Sequence, residues 1–505
     1  MRSSESRSLG SFNPLILQLK LSAEVPSGIA SEELIGTFFH EHVHFWQSIA
    51  TTYGISRHFE MLDWIAKAVR EMGGHHDMVL HGLAKPIKTS FLTHLKEHRN
   101  MDGGYSSAPR RVATTTSPAE GWLELNESTC CWEYIRLNPR DKHFFATPIG
   151  AHTIQENLAH IMEQIGISTK GHTALRVRAN APSKSQLHDY YVATECFWNM
   201  FPGHREQPES FIATLIAMLE ACLQIPSMQH QRHPDWAPMT HPSTRFRLLF
   251  DEMEELHWID HEDNDDYLRF VEEIFGLLGW PAPQTVLREH LEWLDGVLSK
   301  YENQASEHRR QQPDRFEEYV QNRLTATKRR MLELYSGTTA ASIIDDRLKE
   351  FEAAVRGSST AYLGIFGMGL LEYIVRSLRM RVREPLWFVF MHLHSDQLID
   401  ELPLPIQFYK DVETNQLTAK SMALFNDLRA FPHLWAITLQ WAHKRKDLQC
   451  GNRYFEVPCI EPRCKQGLCP DWTPGKVHNY VDCTFVSVLQ HFGLWKEGET
   501  NEPQN

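Results

Sequence analysis

Ser31 to Tyr53 reads SEELIGTFFHEHVHFWQSIATTY, and inside it His40-Glu41-His42-Val43-His44 forms an HExxH pattern. At helical spacing His40 and His44 lie one turn apart on one face, so both imidazoles reach one ion. Glu41 sits about 100° round the helix, off the ion but near enough to act on a water bound to it. His42 points away. Ser31 is placed to cap the helix, and Glu32 and Glu33 suit its positive N-terminal end. The face of the two histidines also carries Gly36, Thr37, Gln47, Ser48 and Thr51, whereas the remaining faces are filled by Leu, Ile, Phe, Val and Trp. A helix that is apolar nearly all round is buried. A polar stripe on it needs a partner, because unpaired buried polar groups are costly. A metal ion would supply one; a core helix whose histidines bond to backbone carbonyls is the alternative.

The chain around this stretch has 505 residues, enough for a large core and for two domains or one large one. A hydrophobic fraction of 42% with 14 Trp and 26 Phe argues for packed structure rather than disorder. The net charge is −13 and no long basic run occurs, so charge does not point to a nucleic-acid partner. The N-terminus lacks the long apolar core of a signal peptide, and no run of 18 or more apolar residues suggests a membrane span. Nine cysteines are an odd number, and Cys130, Cys131, Cys196 and Cys222 sit in apolar contexts. That usage suits a reducing, cytoplasmic setting better than a disulfide framework.

The pattern predicts a mainly α chain. A short strand is expected over Pro14 to Leu21, and helices over Arg57 to Met72, Ser185 to Met200, Glu209 to Leu223 and Ser243 to Leu256. Met101 to Ser117, rich in Gly, Ser, Thr and Arg, reads as a loop. From Ala119 the stretch AEGWLELNESTCCWEYIRL reads as a helix. After Trp280-Pro281-Ala282-Pro283 the composition changes, and Val286 to Arg356 reads as a charged, exposed helical arm. An aromatic-rich helical block follows over Tyr362 to His443, then a loop-like tail. The expected division is 1–284, a metal-binding core; 285–449, a helical accessory region; and 450–505, a Cys-rich tail.

A catalytic zinc site usually has three protein ligands and one open position. HExxH supplies two. On the helix read from Ala119, Glu127 is the best candidate for the third, turned inward from a helix whose other faces are apolar. Glu120, Glu124 and Glu133 are rivals, and Glu124 could instead bond a ligand histidine. A solvated face is the usual fate of such glutamates.

HExxH followed by a helix bearing Asn126-Glu127 resembles the gluzincin metallopeptidases. The resemblance implies a zincin-like core, zinc held by His40, His44 and Glu127, and Glu41 as general base. The gap from His44 to Glu127 is far longer than in the thermolysin-like members and calls for an insertion containing the Met101 to Ser117 loop. Thr240-His241-Pro242, with Arg245 and Arg247 after it, resembles the His-Pro segment of gluzincins such as the CAAX prenyl proteases. By that analogy His241 donates to a developing oxyanion beside Arg245 or Arg247; Tyr190 and Tyr191 are weaker candidates for the same role. The absence of membrane spans keeps a lipidated membrane substrate from carrying over.

In the tail, Cys450, Cys459, Cys464 and Cys469 could bind a structural zinc or an iron–sulfur cluster, although their spacing matches neither zinc knuckles nor ferredoxin runs. Free thiols are the alternative. The expected function is a zinc-dependent metallopeptidase acting on a specific protein or peptide substrate, with a regulatory protein partner on the charged arm as a further expectation. A non-catalytic binding module on the same scaffold, or a metal-dependent hydrolase of a non-peptide substrate, remains open.

Overall fold

The structure is a computed structural model of the full chain. It describes residues 10–13, 18–24, 37, 40–41, 43–44, 47–48, 51–73, 85–102, 110–112, 121–138, 143–167, 188–204, 206–226, 240–253, 256–259, 264–309, 325, 328–329, 332, 406–410, 416–421, 431–443, 448–454, 485–486 and 489. These residues are mostly helical, with two four-stranded antiparallel sheets. No helix among them is long and apolar enough to cross a membrane.

The first sheet pairs β1 (Gly10–Asn13), β2 (Gln18–Glu24), β8 (Gln416–Ser421) and β7 (Ile406–Lys410) in that order. The second has the order β3 (Arg110–Val112), β6 (His143–Pro148), β5 (Cys131–Asn138), β4 (Trp122–Asn126). Between them in sequence lie the HExxH helix, to which Thr37, His40, Glu41, Val43, His44, Gln47 and Ser48 belong, then α1 (Thr52–Gly73) and α2 (Lys85–Met101). After β6 come α3 (Ala151–Ile167), α4 (His188–Met200), α5 (Pro208–Leu223), α6 (Pro242–Glu252), α7 (Asn264–Leu277) and α8 (Pro283–Arg309). The last helices are α9 (Phe431–Ala442) and the short α10 (Gly451–Tyr454).

Residues 122–138 are where the structure departs furthest from the sequence reading. In place of a helix there is the β4–β5 hairpin, with Leu125 opposite Trp132 and Leu123 opposite Tyr134. Cys131, Tyr134 and Ile135 are fully buried, so β5 is covered on both faces, and Trp, Tyr and Ile suit a pleated surface. The turn Glu127 to Cys130 is set by Asn126, whose Oδ1 accepts from the Ser128 amide at 3.0 Å and the Ser128 hydroxyl at 2.6 Å. Cys130 closes it with a φ of 57°.

The core is built on α5, in which every residue from Phe211 to Leu223 is buried. A helix apolar all round can only be central, and α3, α6, α7 and α1 pack on it. Phe197 of α4, Phe211 and Phe250 form a ring cluster with Phe201 and Trp258. Each fully buried Phe stabilises by roughly 1.5–3 kcal/mol.

The charged segment after Pro283 is not a free arm over its described part. Along α8, Val286, Leu287, His290, Leu294 and Leu298 are buried, and the helix packs on α1. Lys328 is buried as well and donates to Asp63 of α1 at 2.7 Å. Contacts therefore cross the expected division at residue 284, and α9 also packs on α1.

Two features aim the HExxH helix. Its junction with α1 is pinned to the end of α5, where Thr52 donates its amide to Gln224 Oε1 at 3.2 Å and its hydroxyl to the Ile225 carbonyl at 2.7 Å. At Gly54 a Cβ would stand 2.1 Å from the Gln47 carbonyl oxygen, so only glycine permits this close approach.

A candidate metal centre between two helices

The site is made by the HExxH helix and α3. Helix α3 leaves the second sheet directly: the Ile149 amide donates to the Trp132 carbonyl at 2.8 Å, and Thr153 Oγ1 to the Pro148 carbonyl at 3.0 Å. Ile154, Leu158 and Ile161, spaced i, i+4, i+7, are buried in the core. Asn157 locks the next helix in place, its Oδ1 accepting from the amides of Ala193 and Thr194 at 3.1 and 3.2 Å. The opposite face carries Glu156, His160 and Glu163 at the same i, i+4, i+7 spacing, and this face meets His40.

His40 and His44 lie on one face, as the spacing predicts, with ring centroids 4.9 Å apart. Their Nε2 atoms face each other at 3.2 Å. The third member of the group is Glu156, with Oε2 3.2 Å from His40 Nε2 and Oε1 3.5 Å from His44 Nε2. His40 and Glu41 are each 8% exposed, so the group lies at the edge of the core rather than on an open surface.

Glu127 is corrected by this arrangement. It sits at the exposed tip of the β4–β5 turn, because the helix that was to turn it inward is a hairpin. Its rivals are placed elsewhere too. Glu124 is exposed and accepts from Trp122 Nε1, while Glu133 accepts from Asn126 Nδ2 at 2.8 Å and from Arg110 at 2.6 Å. Glu120 lies outside the described residues. The sequence reading missed Glu156 and the whole of α3. The available signal was Glu156 and His160 one turn apart, with Glu163 a turn further on, inside a segment whose other face is Ile, Leu and Ile.

The electrostatics of the pocket favour positive charge. Burial works against a charged His40, but the carboxylates of Glu156 and Glu163 outweigh it and hold its pKa up at about 10. His44 is likewise raised, burial opposing and Glu156 prevailing. Burial would raise Glu156, yet the two imidazoles pull it well below the usual carboxylate range. For Glu41 burial wins over the neighbouring histidines, and its pKa is raised.

A second group, His40, His160 and Glu163, also brings three metal-capable atoms within 4.8 Å of one another. There, however, Glu163 Oε2 and His160 Nδ1 are already joined at 2.9 Å as an i, i+3 pair, and Glu163 also lies 3.5 Å from His40 Nδ1. The contact to His40 is an ion-pair distance without a hydrogen bond, so Glu163 is held first by His160.

His241 is the N-cap of α6: its Nδ1 accepts from the Ser243 amide at 3.3 Å and its Nε2 lies 4.0 Å from Cys131 Sγ. Arg245 is fully buried, donates twice to the Ala221 carbonyl and stacks 3.6 Å over Trp280. Burial lowers its pKa to about 9, and its work is to join α6 to α5. Arg247 pairs with Asp251 at 2.6 Å. Of the residues considered for an oxyanion contact, Tyr190 is the one beside the histidines, 5.5 Å from His40 between ring centroids; Tyr191 packs on His160 at 4.6 Å. In the tail, Cys450 is buried with Sγ 3.7 Å from His433 Nδ1. Cys459, Cys464 and Cys469 lie outside the described residues.

No family model, no curated protein and no solved structure matches this chain. The chemistry of the site is therefore argued from its own residues.

Proposed function

We propose that His40, His44 and Glu156 hold a catalytic zinc ion and that the protein is a zinc-dependent hydrolase, a metallopeptidase by the resemblance of its HExxH helix. The observation that carries this is the convergence of three side chains: the two Nε2 atoms are 3.2 Å apart, and the Glu156 carboxylate lies 3.2 Å from His40 Nε2 through Oε2 and 3.5 Å from His44 Nε2 through Oε1. A tetrahedral zinc with bonds of about 2.0–2.2 Å has ligand-to-ligand edges of about 3.3–3.6 Å. Two imidazole nitrogens and a carboxylate at such spacings would fit as three of the ligands of a zinc ion. The same convergence of carboxylates that favours a protonated His40 would also favour a metal cation in its place.

A zinc ion bound there supplies a Lewis acid that brings the pKa of a water at the open position toward neutrality. The chain's own residues do the rest. Glu41 neighbours His40 in sequence without belonging to the ligand triangle, and burial has made its carboxylate more basic than usual. It accepts the proton of the attacking water and returns it to the leaving group. Glu163, held by His160, stands at ion-pair distance from the other nitrogen of His40. Tyr190, whose ring lies 5.5 Å from that of His40, is the residue we assign as donor to a developing oxyanion. His241 is occupied as a helix cap, so the role first suggested for it passes to Tyr190.

The test is to purify the chain with zinc, trap binding proteins on a Glu41→Gln variant and ask whether wild type cleaves them. Cleavage by wild type alone supports a peptidase. Zinc bound without cleavage of any trapped protein removes the peptide substrate and leaves a hydrolase of another class. A chain that takes up no zinc at His40 and His44 overturns the reading.

A further inference from the structure

The polar stripe of the HExxH helix contains one amide, Gln47, which is 1% exposed. Its Nε2 donates to the carbonyl of Gln155 at 3.0 Å. A backbone carbonyl only accepts, so this contact fixes which end of the amide is which and leaves Oε1 toward His44. Oε1 lies 2.8 Å from His44 Nδ1, and it too can only accept. Nδ1 of His44 therefore carries a hydrogen, so in the neutral ring the lone pair is on Nε2, the atom facing His40 and Glu156. The neighbouring hydroxyls are committed elsewhere: Ser48 donates to the His44 carbonyl at 2.9 Å and Thr51 to the Gln47 carbonyl at 2.6 Å.

Gln155 immediately precedes Glu156. One side chain thus sets the tautomer of one ligand and ties its helix to the backbone that carries another. We infer that Gln47 is a positioning residue of the metal centre, holding His44 as the Nδ1–H tautomer with Nε2 aimed at the ion while fixing the spacing of the two helices. This rests on the reading of His40, His44 and Glu156 as ligands. Residues that hold a ligand histidine in this way contribute roughly 10–100-fold to metal affinity.

The experiment joins two readouts on wild type, Gln47→Met and Gln47→Glu. Nitrogen NMR of histidine-labelled, metal-free protein, taken at a pH where the His44 ring is neutral, reports its tautomer, and cobalt titration followed by its visible absorption reports affinity. Wild type should show Nδ1–H at His44. Gln47→Met keeps the shape but loses the acceptor: His44 should move toward Nε2–H and cobalt binding should weaken about 10–100-fold, with the melting temperature of the metal-free chain little changed. Gln47→Glu restores the acceptor though not the donor to Gln155, and should recover the Nδ1–H tautomer and bind cobalt more tightly than Gln47→Met. Equal losses in both variants would mean packing alone and overturn the inference, as would unchanged affinity in Gln47→Met. Should Gln47→Met not fold, the wild-type and Gln47→Glu tautomers decide, and Nε2–H in wild type refutes it. Wild type with no cobalt site sensitive to His44→Ala removes the metal reading itself, and the positioning role falls with it.

Discussion

Two buried histidines of this molecule have opposite electrostatics. His40, between the HExxH helix and α3, is surrounded by carboxylates that overcome burial and hold its pKa at about 10. His290 of α8 is buried against α1, where Nε2 meets Ser56 Oγ at 3.1 Å. Ser56 gives its own hydrogen to the Thr52 carbonyl at 2.7 Å, so His290 is the donor between them. Burial lowers the His290 pKa to about 4, with Glu60 opposing weakly. Burial alone produces a neutral, hydrogen-bonded histidine of the core. A seat for a cation needs converging carboxylates and facing ring nitrogens, and only the first place has them.

The comparison can be broken at either end. The largest effect is expected at Glu41, the proposed general base. Glu41→Gln should lower hydrolysis of a trapped substrate by roughly 10²–10⁴-fold while zinc content is kept. Thermal stability should hold or rise, since the charge removed is buried and its pKa is already raised. Parallel losses of zinc and activity would mean that Glu41 serves the metal and not the proton.

At the other end, the folded pKa of His290 lies below its ordinary value of 6.5. The unfolded chain therefore takes up the proton first as pH falls. The stability tied to this group is fully present above about 6.5 and is lost on the way down to about 4. The loss is ~3 kcal/mol. His290→Leu leaves Ser56 bonded to Thr52 and removes the titration. Denaturant midpoints measured from pH 7 to pH 4 should fall less steeply in the variant than in wild type. Identical slopes would show that His290 is not the buried neutral ring described.

The smallest effect is expected at Glu127, exposed at a hairpin tip. Glu127→Gln should leave metal affinity, activity and stability within about 0.5 kcal/mol of wild type.

Much of the helical framework was legible in the sequence. Helices α1, α4, α5 and α6 fall where their apolar periodicity places them, and the polar stripe on the HExxH helix foretold Gln47 as well as the histidines. The hairpin was misread because its Glu and Leu residues suit a helix, while the evidence for strands lies in cross-strand partners that spacing does not display. Glu156 was missed for a related reason. It meets His44 only because α3 turns back from the second sheet across two intervening helices, and no periodic pattern links positions so far apart. A local signal names two candidate ligands on one helix, whereas the carboxylate that meets them is set by tertiary packing.

The central claim is that Glu156, and not Glu127, completes the site with His40 and His44. The direct measurement is the zinc dissociation constant of wild type, Glu156→Gln and Glu127→Gln, read by competition with a chelating dye, with His44→Ala as the reference for a lost site. Glu156→Gln should weaken binding by at least about 100-fold, beyond the range of a merely orienting residue, and should approach His44→Ala, while Glu127→Gln matches wild type. Wild-type affinity in Glu156→Gln, or a loss confined to Glu127→Gln, would contradict the account.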